Sequence, residues 1–281
     1  MSINNHQTIS AEEYHALPGV SNSRLSVFLE DPREYYYQFL SGEYVAKKKD
    51  YFDFGSAVHE VALCKSSEAI RLIPESVLSA NGSKAGGKWK EFEQEHAGKL
   101  LLKIADYDAL FRCVDAIEKH PMASQLLDCD GETETPFQHE DTDLGLLLRC
   151  RPDKLITMSG SKLCIDIKTT STGTQAGKFA KSVAAYAYHR QSYLYERVLR
   201  DCGIEIASFI FIAVQVEPPF CVDCYSLSDE FLKLAETEVE NGLIDLAERT
   251  RTNDWKPRSW NSVTELSPPA YLKFSNDYRI D

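Results

Sequence analysis

The sequence predicts an α/β domain, a mixed central β-sheet flanked by helices, with a helical region at the N-terminus. Helical periodicity dominates the first 120 residues; near residue 132 the texture changes to short apolar runs bounded by turn residues; a long helix then separates these from two further strands. Elements in that order call for a sheet covered on its faces. With 281 residues, 43% hydrophobic and 26% charged, the composition is globular and excludes disorder and fibrous repeats. We read one domain over 1–281: a mainly helical part over 1–120, a sheet-and-helix part over 130–226, and a C-terminal helix and tail over 227–281.

Each element has a local reason. Residues 21–40 (SNSRLSVFLEDPREYYYQFL) read as helix broken at Pro32, with Ser21 or Ser23 as N-cap. Residues 52–65 (FDFGSAVHEVALCK) read as helix because Phe54, Val58, Val61 and Ala62 share a face. After a Gly- and Lys-rich loop, helical patterns cover about 88–104 and 106–119. The runs ETPFQHE, LGLLLRCRPDKLI and KLCIDIKTT read as strands. A helix rich in Ala and Tyr is expected over about 175–200, strands near 206–216 and 220–226, and a helix near 228–249. The tail shows no period.

Composition excludes several classes. The longest apolar run, Phe209–Val214, has six residues against the roughly 18 of a membrane span. The polar first residues lack the pattern of a signal peptide, and eight cysteines without framework spacing suggest reduced thiols, so a cytoplasmic protein is expected. Cys221 and Cys224 stand three apart on a strand, on opposite faces, and read as structural. A net charge of −12 argues against nonspecific nucleic-acid binding, although a basic groove can hide within it. Three basic clusters are present: Lys47/Lys48/Lys49, Lys84/Lys88/Lys90 and Arg149/Arg151/Lys154/Lys168. The first two read as solvated loop charge.

The third cluster surrounds the informative segment, RPDKLITMSGSKLCIDIK over 151–168. Ser159-Gly160 suits a two-residue hairpin loop, which sets Met158 opposite Ser161 and Asp153 opposite Asp166. The two carboxylates would share a face, with Cβ atoms about 5 Å apart. Lys168, two residues beyond Asp166, points the same way. At that separation and an effective dielectric near 20, the repulsion is roughly 3 kcal/mol. A cation between the carboxylates, or a proton on one, relieves it. Oxygen donors favour Mg²⁺, with Mn²⁺ able to substitute. Spacing alone fits equally well an ordinary hairpin whose aspartates pair with neighbouring Lys or Arg.

RPD on one arm and IDIKTT on the other resemble the PD-(D/E)xK nuclease signature in its D-x-K form. Gly55-Ser-Ala-Val-His59 is similar to the G-x-x-x-H helix motif of the RecB-like branch, and Gln191-Ser-Tyr-Leu-Tyr195 to its Q-x-x-x-Y motif. The whole set, from PGVSNSRL through GSAVHEVAL, CRPDKLI, IDIKTT and YAYHRQSYLYE to DWKPRSW and LSPPAYL, resembles the RecE-type exonuclease VIII nuclease domain. The resemblance implies a restriction-endonuclease-like core. It also implies Asp153 and Asp166 as metal carboxylates, Lys168 as the catalytic lysine and His59 as a further metal ligand. Gln191 and Tyr195 would brace the site, and Glu134 would be an additional acid. A lone histidine on an apolar helix is more often a core residue, so His59 rests on its spacing from Gly55. Ser23 and Arg24 open a helix whose free N–H groups suit either a 5′-phosphate or simple capping.

The implied activity is a Mg²⁺-dependent double-stranded DNA exonuclease, running 5′→3′ and leaving 3′ single-stranded overhangs for recombination. Implied partners are duplex DNA ends, a RecT-like single-strand annealing protein, and further copies of the chain in a ring with DNA in its channel. Alternatives are an endonuclease or single-strand-specific nuclease of the same superfamily, and a DNA-end-binding subunit without catalysis. Neutralising either aspartate is expected to abolish cleavage and, by relieving repulsion, to raise the metal-free melting temperature.

Overall fold

The computed structural model describes residues 11–45, 54–257, 259–263 and 265–268. The Lys47/Lys48/Lys49 cluster, and the start of the helix expected from 52, lie outside them.

Four helices come first: α1 (Ala11–Ala16), α2 (Asn22–Glu30), α3 (Pro32–Phe39) and α4 (Phe54–Cys64). The Ser21 hydroxyl caps α2 by accepting from the Arg24 N–H, and Asp31 caps α3, whose first residue is Pro32. Proline suits that position because it lacks the N–H that would have no partner there. A short parallel pair follows, β1 (Ile70–Leu72) and β2 (Leu100–Leu102), with α5 (Gly87–Glu95) between them. The helix expected over 88–104 therefore stops early: Gly98 takes a positive φ of 81° and the chain turns into β2. Helices α6 (Ile104–Lys119) and α7 (Pro121–Asp128) complete the helical part.

The sheet part contains β3 (Gly131–Thr133), β4 (Phe137–Asp141), β5 (Leu146–Cys150), β6 (Lys154–Met158), β7 (Ser161–Thr170), α8 (Ala176–Ala185), α9 (Tyr188–Asp201), β8 (Ser208–Gln215), β9 (Val222–Tyr225) and α10 (Asp229–Thr252). Two expectations need correction. The run over 144–156 is two strands, because the chain bends at Arg151–Asp153 around Pro152, which has no N–H for a ladder. The helix expected over 175–200 is two, broken where buried Ala187 adopts the left-handed region at φ 54°.

The five-stranded sheet runs β3-β6-β7-β8-β9 and is mixed, with β7 and β8 parallel and the other neighbours antiparallel. β4 and β5 form a separate hairpin. β7 is central, and its residues alternate between two apolar layers. Cys164 packs in the layer with Phe179, Leu194, Val198 and Phe211. Ile165 and Ile167 pack in the layer with Val58, Val61, Leu110 and Leu126. Period two therefore turns Asp166 and Lys168 toward α9, while α4 covers the opposite face.

Candidate active site

The β6–β7 hairpin has the expected register. Ser159 and Gly160 both take positive φ, 50° and 80°, and the ladder pairs Met158 with Ser161 and Lys154 with Ile165. The ladder stops there, and Asp153, in the bend just before β6, turns its carboxylate to the Ile167 N–H.

β6 ends opposite Ile165 while β7 continues to Thr170, so the Ile167 N–H and C=O have no strand partner on that side. Buried backbone groups need partners, and two site residues supply them. Asp153 Oδ2 accepts from Ile167 N at 2.7 Å. His59 Nε2, from α4, lies 2.6 Å from the Ile167 carbonyl oxygen, and its Nδ1 is 3.3 Å from Asp153 Oδ2. On the other side, Lys168 Nζ is 2.7 Å from Asp166 Oδ2, and Gln191 Nε2 of α9 donates to Asp166 Oδ1 at 2.6 Å. Asp166 is 1% exposed. The two aspartates, Lys168, His59 and Gln191 thus gather around the unpaired edge of β7.

Electrostatics follow from burial. Asp153 is pushed up to about 6, first by burial and then by Asp166, against the opposing pull of His59 and Lys168. Burial alone would lower Lys168, but Asp166 and Asp153 outweigh it and hold the ammonium above the ordinary lysine value. Lys168 is therefore a fixed cation at neutral pH. Lys168 compensates Asp166, and His59 stands against Asp153.

A family model described as "PDDEXK-like domain of unknown function (DUF3799)" matches residues 21–261. The chain belongs to that family. Among solved structures, a "Putative exonuclease" from Eubacterium rectale superposes with TM-score 0.59 at 15% identity, covering 96% of this chain and 99% of that one. At that identity the likeness shows the fold. A second structure, SSO0001, is 17% identical over 73% of this chain and 89% of its own, with TM-score 0.31, and carries no argument. No curated protein matches the chain in sequence.

In this PDDEXK-like domain the two carboxylates and the Ile167 carbonyl are oxygen donors of the kind a hard divalent ion takes. Asp166 Oδ2 is buried and, beyond the ammonium beside it, has no hydrogen bond. Among the described residues no group of three His, Cys, Asp or Glu side chains is arranged to hold a metal ion.

The other expected residues divide. Tyr195, half-buried one turn beyond Gln191, meets Phe209 edge-on at 6.0 Å, and burial holds its hydroxyl protonated. Glu134 lies just past β3 and pairs with Arg151 at 3.3 Å. Ser23 shares a hydroxyl contact of 3.0 Å with Ser21, and Arg24 binds the Gly19 carbonyl at 2.8 Å and covers the Phe39 ring at 4.9 Å. These contacts give Ser21, Ser23 and Arg24 work within the N-terminal fold. Of the third basic cluster only Lys168 enters the site. Arg149 is 1% exposed and bound to the Tyr14 and Gly19 carbonyls, and Lys154 donates to Leu127. A residue the sequence did not single out beside the site is Tyr188, whose ring lies 4.8 Å from Lys168 Nζ.

Proposed function

We propose that this PDDEXK-like domain is a divalent-metal-dependent nuclease acting on DNA ends, with Mg²⁺ as its ion. The observation that carries the reading is the gathering of Asp153, Asp166, His59 and Lys168 around the unpaired edge of β7. His59, Asp153, Asp166 and the Ile167 carbonyl would hold the ion, which when bound supplies Lewis acidity toward a phosphate oxygen and a more acidic water. Hydrolysis adds water oxygen to phosphorus and breaks one P–O bond, so negative charge grows on the phosphoryl oxygens and the leaving oxygen. Lys168, held protonated by its two acidic neighbours, places positive charge where that growth occurs. Gln191 keeps Asp166 Oδ1 fixed, and Asp153 fixes the Ile167 amide, so the donors are set before substrate arrives.

The finer reading is exonucleolytic: 5′→3′ digestion of one strand of a duplex, leaving 3′ overhangs for a RecT-like annealing partner, by a ring of subunits with DNA in its channel. The ordered motif resemblance supports it, and a ring lined by Lys and Arg accommodates the net charge of −12. The decisive experiment digests linear duplex labelled at each end, carrying 5′-phosphate or 5′-hydroxyl, beside closed circular DNA, with Mg²⁺ or EDTA. Shortening of the linear strand from its 5′ ends, an intact circle and silence in EDTA are expected. A nicked circle makes it an endonuclease, and binding without cleavage a DNA-end-binding subunit. Light scattering that finds a monomer at micromolar concentration would remove the ring.

A further inference from the structure

We propose that Tyr186, with the hydroxyl-rich turn at Thr169–Thr172, forms a subsite for the terminal nucleotide of the strand being cut, its base stacked on the outer face of the Tyr186 ring. This rests on the nuclease reading above. Its basis is a cavity of about 310 Å³, joined to the catalytic lysine through Tyr188 and lined by the Thr169–Thr172 turn, Ser182, Tyr186 and Tyr188, with Phe54, Gly55 and Val216 completing the wall. Among the described residues no Asp or Glu lines it, in a chain of net charge −12. A wall of neutral hydroxyls tolerates phosphate and sugar oxygens, where carboxylates would repel them. The volume sits at the low end of the range of roughly 300–1,000 Å³ for small-ligand sites, which is room for a single nucleotide.

The aromatic geometry identifies what part of the nucleotide belongs there. Phe211, Tyr188 and Tyr186 form a ladder of rings, with centroids 6.0 Å apart at 28° and then 5.6 Å apart at 26°. Its inner member is buried, whereas Tyr186 is 68% exposed. One face of Tyr186 lies on Tyr188 and the other looks outward, so a flat base would be the next rung. The middle rung carries the Lys168 ammonium 4.8 Å from its centroid, which places the stack one ring from the chemistry. Ala187, in the left-handed region at φ 54°, separates α8 from α9 and sets the flanking tyrosines side by side. Stacking of this kind accepts any base, since every base has a π-face.

The test uses the full chain and a duplex with an unpaired terminal 2-aminopurine nucleotide, at the 5′ end in one substrate and at the 3′ end in another. In EDTA, the wild type and Tyr186→Phe should quench 2-aminopurine emission at one of the two ends, with affinities within about twofold of each other. Tyr186→Ala should abolish that quench. With Mg²⁺, Tyr186→Ala should raise KM about tenfold, with a smaller loss in kcat. Because the ring is exposed, an unchanged melting temperature serves as the folding control. If the wild type cleaves DNA while Tyr186→Ala quenches and cleaves with unaltered KM, the subsite is overturned and the nuclease reading stands. If the wild type neither binds nor cleaves DNA, the nuclease reading fails and the subsite with it.

Discussion

At the scale of single residues, the two aspartates are not equivalent. Asp153 is partly buried, with its pKa raised to about 6, whereas Asp166 is fully buried and carries a lysine on one oxygen and a glutamine on the other. Asp153→Asn keeps an oxygen for the Ile167 amide and removes a disfavoured charge, so the metal-free melting temperature should rise. Asp166→Asn strands the Lys168 ammonium, and the melting temperature should fall, by about 3–5 kcal/mol of stability. Both variants should lose metal-dependent cleavage. The sign with pH can be worked out for Asp153. Below the ordinary value of 3.8 the carboxyl is protonated whether folded or unfolded, and it contributes nothing. Between 3.8 and about 6 only the folded state keeps the proton, so stability falls as pH rises through that window. The gap between wild type and Asp153→Asn should therefore open from pH 4 to 6 and stay level above, reaching at most about 3 kcal/mol. Urea titrations of both proteins across that range would measure it; a gap independent of pH would contradict the assignment. Gln191→Ala leaves the buried Asp166 Oδ1 without its donor, so cleavage should fall about 10- to 100-fold and stability by about 1–3 kcal/mol.

At the scale of elements, α9 is the part that must not move, because it brings Gln191 to Asp166. Arg197 of the same helix anchors it, pairing with Asp141 of β4 and, at 2.7 Å, with Glu240 of α10. Its side chain is 12% exposed, so Arg197→Met leaves two poorly solvated carboxylates facing each other. A loss of about 1–3 kcal/mol is expected in denaturant titrations, with cleavage reduced through displaced Gln191; wild-type stability would mean the anchor is idle. The hairpin was legible in the sequence because Ser159-Gly160 dictates a turn and the turn dictates the register. The pairing of Lys154 with Ile165 through Met158 with Ser161 followed without further information. The break at Ala187 was not legible: Ala and Tyr continue a helix by propensity, and only packing of both halves onto the sheet imposes a left-handed residue there. β2 was missed because three leucines after Gly98 read as helix or strand equally well.

At the scale of the whole molecule, the site exists because β7 outlasts β6 in the middle of a sheet covered on both faces. Helix α4 reaches the exposed backbone from one face and α9 reaches Asp166 from the other, so residues 59, 153, 166, 168 and 191 meet although the chain separates them widely. Among the described residues, no helix is long and apolar enough to cross a membrane. If the gathered donors take Mg²⁺, the ion stabilises the fold by mass action, about 2.7 kcal/mol at a hundred times its dissociation constant. Thermal melts should therefore rise with Mg²⁺ in the wild type and stay flat in Asp166→Asn. Equal shifts in both would place the ion elsewhere.

What the sequence by itself determined was the change from helical to strand-forming chain near residue 132, the turn at Ser159-Gly160 and the residue types on its two arms. These are local or period-two properties, set by backbone sterics within a few residues. Only the tertiary structure decided that the Ile167 N–H and C=O lack a strand partner, that Lys168 compensates Asp166, that Arg149 and Lys154 are buried struts, and that Tyr186 extends a ladder of rings beside the lysine. Those depend on which strand ends first and which helix covers the gap, and backbone groups and burial leave no mark in the one-dimensional pattern.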